Sequence, residues 1–341
     1  MRTNQILIAH SSGTLMLTAT RPEGGERPPI IEDLLTGIEI EAEECSLSYD
    51  ARSHLSRSGW RADMDGSLRD DGLEFVLASP LHGDSLSAAI DAFFETQDLG
   101  FDWSISPRAG THIHLNMTDR PLSHLQAMSA LVYCIEPLIF RFAGEDRRWC
   151  SYCNSLNTVP SFRIKQLLGT TDSDSTEWYN FWSASSGDRY YGFNLTSIGK
   201  YGTIEFRYFP TPANKSQLWS WIDLCHAIYE YSKKFSEEDD PVDAVMTELR
   251  NNAVGVLDEI EGLCNIDLRY SGWSDDVNEL LSDLTITLIM SPVESVRDIA
   301  SMEAEPSPEI SMWSEVDGLR AMFGDAADAF IRTHFVTDTG N

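Results

Sequence analysis

The sequence predicts an α+β fold built on a largely antiparallel sheet with flanking helices. Three observations carry this. Segments that alternate apolar and polar side chains recur at 37–44, 73–78, 101–105, 111–117, 190–196 and 202–209. Several follow one another with no helical pattern between them, whereas parallel pairing would need a crossover of a dozen or more residues at each step. Helical periodicity occupies separate blocks, at 85–97, 122–143 and 215–235.

At the N-terminus, Ile6-Leu7-Ile8-Ala9 and Leu15-Met16-Leu17-Thr18 flank the turn formers Ser11-Ser12-Gly13, so 5–20 reads as a hairpin within a 1–35 extension. A central α+β domain is expected over 36–235. Its first helix carries Leu86, Ala89, Ile90, Phe93 and Phe94 at helical spacing, with Asp84 or Ser85 as cap. Ser236-Glu237-Glu238-Asp239-Asp240-Pro241 is a charged break ending in proline. Beyond it, 242–341 reads as mainly helical, with apolar residues at three- and four-residue steps in 243–260, 275–288 and 312–335.

The chain has 341 residues with 25 basic and 54 acidic side chains, a formal charge of −29. That balance repels a phosphate backbone and excludes nucleic acid as an expected partner. The start, Met1-Arg2-Thr3-Asn4-Gln5, lacks a signal-peptide layout, and no uninterrupted apolar run is long enough to span a bilayer. A cytoplasmic protein without a membrane partner is the expectation. The six cysteines are scattered, so free thiols are expected; Cys150-Ser151-Tyr152-Cys153 has no second pair to complete a zinc site.

The chemistry begins at Gly37-Ile38-Glu39-Ile40-Glu41-Ala42-Glu43. On a strand, Glu39, Glu41 and Glu43 share one face. Two unit charges about 4 Å apart repel with roughly 4 kcal/mol at an effective dielectric of 20, so such a face is either solvated or covered by a cation. Further segments match it in style. Asp65-Gly66-Ser67 leads to Glu74 in Leu73-Glu74-Phe75-Val76, and Gly110-Thr111-His112-Ile113-His114-Leu115-Asn116 aligns His112, His114 and Asn116. Arg189-Tyr190 precedes Asn194, and Gly202-Thr203-Ile204-Glu205-Phe206-Arg207 aligns Thr203, Glu205 and Arg207. Singly, each is ordinary: a His pair on a surface strand, an exposed ion pair worth little, an Asn in a turn. Together they describe one face with carboxylates suited to Mg²⁺ or Mn²⁺, imidazole compatible with Mn²⁺, and guanidinium for phosphate. Those are the recurring parts of phosphoryl-transfer sites. No GxxxxGK[ST] segment exists to form a P-loop.

In their order and spelling these segments, with Arg147-Arg148 to Tyr152-Cys153, resemble the amidoligase family. That family lies within the glutamine synthetase and glutamate–cysteine ligase-like superfamily of carboxylate–amine ligases. The resemblance covers about 36–212. It implies a saddle-shaped antiparallel catalytic sheet and ATP held with Mg²⁺ or Mn²⁺. Glu39, Glu41, Glu74, His114 and Glu205 are the implied metal ligands, with His112 the second choice of imidazole. Arg189, Asn194, Lys200 and Arg207 are implied at the nucleotide, and Arg207, His114 and Glu205 in catalysis. The implied reaction joins a carboxylate to an amine, small-molecule or peptide, through an acyl phosphate. Asp65 and Glu43 stay open as general base. The alternatives are a silent structural protein of a phage or virus particle that keeps the fold, and another metal-dependent phosphoryl enzyme. A homo-oligomer or a virion-associated assembly is an expected partner state in addition to the substrates.

Overall fold

β1 (Thr36–Leu47) organises the sheet. Ile38, Ile40 and Ala42 are buried on one face, and Glu39 and Glu41 project from the other, as period-two alternation requires. The computed structural model describes residues 33–264 apart from 70–71, 105, 107, 119, 145–146, 148–149 and 157–187. The hairpin expected at 5–20 and the helices expected at 275–288 and 312–335 lie outside the described residues. Every element below falls in the first of two units into which the chain divides, Met1–Leu288.

The other strands are β2 (Trp60–Met64), β3 (Leu73–Leu77), β4 (Phe101–Ser104), β5 (Gly110–Asn116), β6 (Phe193–Asn194) and β7 (Thr203–Pro210). The sheet order is β2-β3-β1-β5-β7-β6, with β4 paired to β1, and every strand pair is antiparallel. The largely antiparallel α+β sheet expected from the alternation is therefore present, and it is open. Two irregularities matter. Glu44 adopts φ 51° where β1 shifts register against β4. In β7, Thr111 opposes Phe209 while Ile113 opposes Phe206, so Arg207 and Tyr208 together face His112, a β-bulge.

The helices are α1 (Tyr49–Arg57), α2 (Gly83–Glu95), α3 (Leu122–Ala143), α4 (Thr196–Tyr201), α5 (Lys215–Lys233) and α6 (Pro241–Cys264). α3 packs on β7, α5 on β5, and α6 on α3 and α5. They cover the apolar face carrying Phe75, Ile113, Leu115, Ile204, Phe206 and Tyr208. An aromatic cluster of Trp60, Phe75, Phe93, Phe101 and Trp103 closes one end. Burying a side chain of this size contributes about 2–3 kcal/mol each. Leu122–Phe140 of α3 has the length and composition of a membrane span, interrupted by His124, Gln126 and Glu136, and 89% of that window is buried inside the fold.

Three local readings need correcting. α1 is a helix the sequence conceals, because only Ala51 and Leu55 are buried; Ser48 starts it, its Oγ accepting from Ala51 N at 3.1 Å. β2 is likewise concealed, since Trp60 is its one buried residue. The strand expected at 190–196 is reduced to the two residues of β6. Asn194 Oδ1 there accepts from both the backbone N and the hydroxyl of Thr196, turning the chain into α4.

Candidate active site

The face of the sheet opposite α3, α5 and α6 carries a cleft of about 400 Å³, lined by Glu39, Glu41, Glu74, His112, His114, Glu205 and Arg207. All seven are residues that alternation selects from the sequence, and strand register brings them together. Glu39 pairs with His112 across β1–β5, Glu41 with Glu74 across β1–β3, and His114 with Glu205 across β5–β7. Arg189, Asn194 and Lys200 line the same cleft, as do Asp65, Ser67, Arg108, Tyr152, Tyr190 and Tyr201.

The acidic groups form two clusters, in each of which the candidate ligand atoms lie within 4.8 Å of one another: Glu39, His112 and Glu205, and beside them Glu41, Asp65 and Glu74. In the first, His112 Nδ1 lies 3.0 Å from Glu39 Oε2 and 3.4 Å from Glu205 Oε1, and His112 Nε2 is 3.6 Å from Glu41 Oε1. His114 stands alongside, its Nδ1 3.1 Å from Thr203 Oγ1 and its Nε2 3.4 Å from Glu39 Oε1. That Nε2 is buried without a well-formed hydrogen bond among the described residues. Both imidazoles thus face the carboxylates, His112 the more centrally.

Electrostatics follow from the packing. Burial raises Glu74, and the charges of Glu39, Glu41 and Asp65 add to it, reaching about 7 although His112 opposes them. Burial also works to raise Glu39 and Glu205, but is outweighed. His112 and His114 hold Glu39 well below the usual carboxylate range, and Arg207, with the two imidazoles, lowers Glu205. Burial works to lower His114, yet the charges of Glu205 and Glu39 bring it out above its ordinary value.

Two features show that this chemistry fits a divalent cation. Glu74 is one of several carboxylates sharing a site too small for their charge, and a buried imidazole nitrogen points among them. Asp65 lies with Glu41 and Glu74, its carboxylate within 4.8 Å of theirs. Glu43 Oε1 accepts from Arg69 N at 2.9 Å and lies 3.8 Å from Arg108 Nε.

Basic groups occupy the other walls. Arg207 Nη1 donates to Glu205 Oε1 at 2.6 Å, and Asn194 Nδ2 donates to Glu205 Oε2, also at 2.6 Å. Arg108 Nη2 donates to Ser67 O at 2.8 Å and to the Tyr152 hydroxyl at 2.9 Å. Arg189 lies over the Tyr190 ring and Lys200 over that of Tyr201. The alternation pattern passes over Arg108, two residues ahead of the Gly110 strand, because it sits in a bend and not on a strand face.

The family model described as "Putative amidoligase enzyme" matches residues 77–229. This stretch belongs to the amidoligase family. No curated protein matches the chain. The amidoligase stretch contains His112, His114, Asn194, Glu205 and Arg207 and ends within α5. Glu39, Glu41, Asp65 and Glu74 lie upstream of it, and the β3-β1-β5 order carries them into the same cleft.

A second cleft of about 230 Å³ opens beside the first and shares Glu39, Glu74, His114 and Tyr201 with it. Ile38, Val76, Leu77 and Pro80 give it an apolar side, and Arg61 on β2 is its one guanidinium. The Arg61 guanidinium forms no ion pair among the described residues.

Proposed function

We propose that the protein is an ATP-dependent carboxylate–amine ligase acting through an acyl phosphate, on a sheet of the glutamine synthetase type. The observation that carries this reading is the pairing of two acidic clusters with Arg207 in one cleft that has a second cleft against it. A metal-dependent ligase needs that combination: cation ligands, a guanidinium for the transferred phosphoryl group, and room for two reactants. A purely structural role leaves so many mutually repelling carboxylates without a purpose.

Glu41, Asp65 and Glu74 would hold one divalent cation and Glu39, His112 and Glu205 another, with His114 alongside. Bound there, such ions neutralise phosphate charge during transfer. Arg207 presents its guanidinium to the transferring phosphoryl group, and Glu205 and Asn194 fix its direction. Arg108, Arg189 and Lys200 offset the remaining phosphate charge. The carboxylate substrate attacks the terminal phosphorus and releases ADP. The amine then displaces phosphate from the acyl carbon, giving an amide and a proton. We assign the carboxylate substrate to the second cleft, where Arg61 supplies the positive charge.

The test is magnesium-dependent ADP release over a panel of carboxylates and amines, using ¹⁸O-labelled carboxylate. An acyl phosphate transfers one label to inorganic phosphate. Unlabelled phosphate, or turnover without an amide product, would exclude the ligase reading and leave a different phosphoryl enzyme.

A further inference from the structure

The bulge that carries Arg207 has a buried support. By placing two β7 residues opposite His112, it lets Arg207 face the cleft while Tyr208 and Phe209 both meet the helices. Tyr208 packs edge-on to Phe140 with ring centroids 5.1 Å apart, and Phe209 stacks on Trp221 at 5.1 Å. A bulge disrupts the ladder locally, and buried carbonyls need donors from elsewhere. One side chain meets both. Arg147 Nη2 donates to Arg207 O at 2.9 Å, Nε to Tyr208 O at 3.2 Å, and Nη1 to Ala109 O at 3.0 Å.

Arg147 is 2% exposed, on a segment following α3, and its planar fork matches three acceptors arrayed around it. The fit is close. A Cβ on Gly110 would lie 2.8 Å from Nη2, so any larger residue at the start of β5 must displace the guanidinium. The Gly110 N–H in turn donates to Glu41 Oε2 at 2.8 Å, so the same corner touches the acidic cluster.

We propose that Arg147 is a positioning residue: by holding the two bulge carbonyls it fixes the direction in which Arg207 leaves β7 toward Glu205 and the cleft. Its importance for turnover rests on the reading above, in which Arg207 meets the transferred group. Lysine keeps the charge but is a point donor without the planar fork, so Arg147→Lys removes the geometry while retaining a cation.

The experiment uses the full chain labelled with ¹⁵N-arginine, with the Arg207 Nε–H resonance assigned by its loss in Arg207→Lys. Spectra are compared for wild type, Arg147→Lys and Gly110→Ala, the last of which displaces the guanidinium without removing it. The Arg207 resonance is expected to shift or broaden in both variants, while those of Arg52 and Arg57, both on α1, stay in place. ADP release should show kcat reduced at least tenfold with KM for ATP within twofold. Arg147→Lys combined with Arg207→Lys should be no slower than Arg207→Lys alone. An unmoved Arg207 resonance in either folded variant, or effects on kcat that multiply, would overturn the proposal. If wild type releases no ADP with any substrate pair, the ligase reading fails by itself, and the resonance still decides the role of Arg147.

Discussion

Glu41 and Glu74 stand directly opposite one another on β1 and β3, so folding sets two carboxylates side by side in a partly buried cleft. Glu39 and Asp65 add to the crowding, and Glu74 holds its proton up to about pH 7. A cation bound there must displace that proton.

Affinity for Mn²⁺ is therefore expected to rise with pH, about tenfold per unit below pH 7, and to level off above it. Isothermal titration at pH 6 and pH 8 measures it, and Glu74→Gln should lower the affinity and remove the dependence. The stability sign is the reverse without metal. Because the folded value exceeds the usual 4.5, this group weakens the fold as pH rises from 4.5 to 7. Glu74→Gln should then raise the urea midpoint at pH 8 in a chelator and leave it unchanged at pH 4.

Two histidines away from the cleft push stability the other way. Burial lowers His124 to about 4 and His226 to about 3, both as neutral rings, with His124 Nε2 donating to Tyr229 O at 3.0 Å. Their folded values lie below the ordinary 6.5, so their contribution is complete above that pH and is lost as pH falls toward 4 and 3. At pH 5 each removes about 2 kcal/mol relative to pH 7. Urea denaturation at both pH values should give a smaller drop for His226→Asn than for wild type. An equal drop would contradict the assignment.

Arg61 is expected to govern the carboxylate and not the nucleotide. Arg61→Ala should raise KM for the best carboxylate in the panel about tenfold, the scale of one lost charged hydrogen bond, with KM for ATP unchanged. Steady-state kinetics in the two substrates separates these outcomes, and an effect on ATP alone would move the carboxylate to the other cleft.

Much of this site is legible in the sequence because it sits on strands. Alternation in β1, β5 and β7 fixes which side chains share a face, and that suffices to select Glu39, Glu41, His112, His114, Glu205 and Arg207. Whatever lies off a strand face is harder to see. Asp65 follows the exposed edge strand β2, where only Trp60 is buried, so nothing in the pattern aims it at Glu41 and Glu74. Arg108 is in a bend outside the strands. The bulge at Arg207 and Tyr208 is invisible because periodicity describes one strand and a register shift belongs to two. Arg147 has no apolar pattern around it that marks a buried guanidinium; its role exists only once β5 and β7 are paired.

Removal of the guanidinium in Arg207→Ala should separate chemistry from metal binding. Turnover is expected to fall by about 10²–10³, as for loss of one charge-stabilising donor, while the Glu41, Asp65 and Glu74 cluster still binds Mn²⁺. Parallel ADP-release and Mn²⁺ titrations check this, and loss of metal binding with turnover would mean that Arg207 supports the ligands instead.

The most direct test of the site is Mn²⁺ stoichiometry by electron paramagnetic resonance on the purified chain at pH 8. Two ions per chain are expected, with Glu41→Gln and Glu74→Gln together removing one and Glu39→Gln weakening the other. Absence of millimolar or tighter Mn²⁺ binding, or binding that survives all three substitutions, would contradict the assignment of these strands as a metal centre.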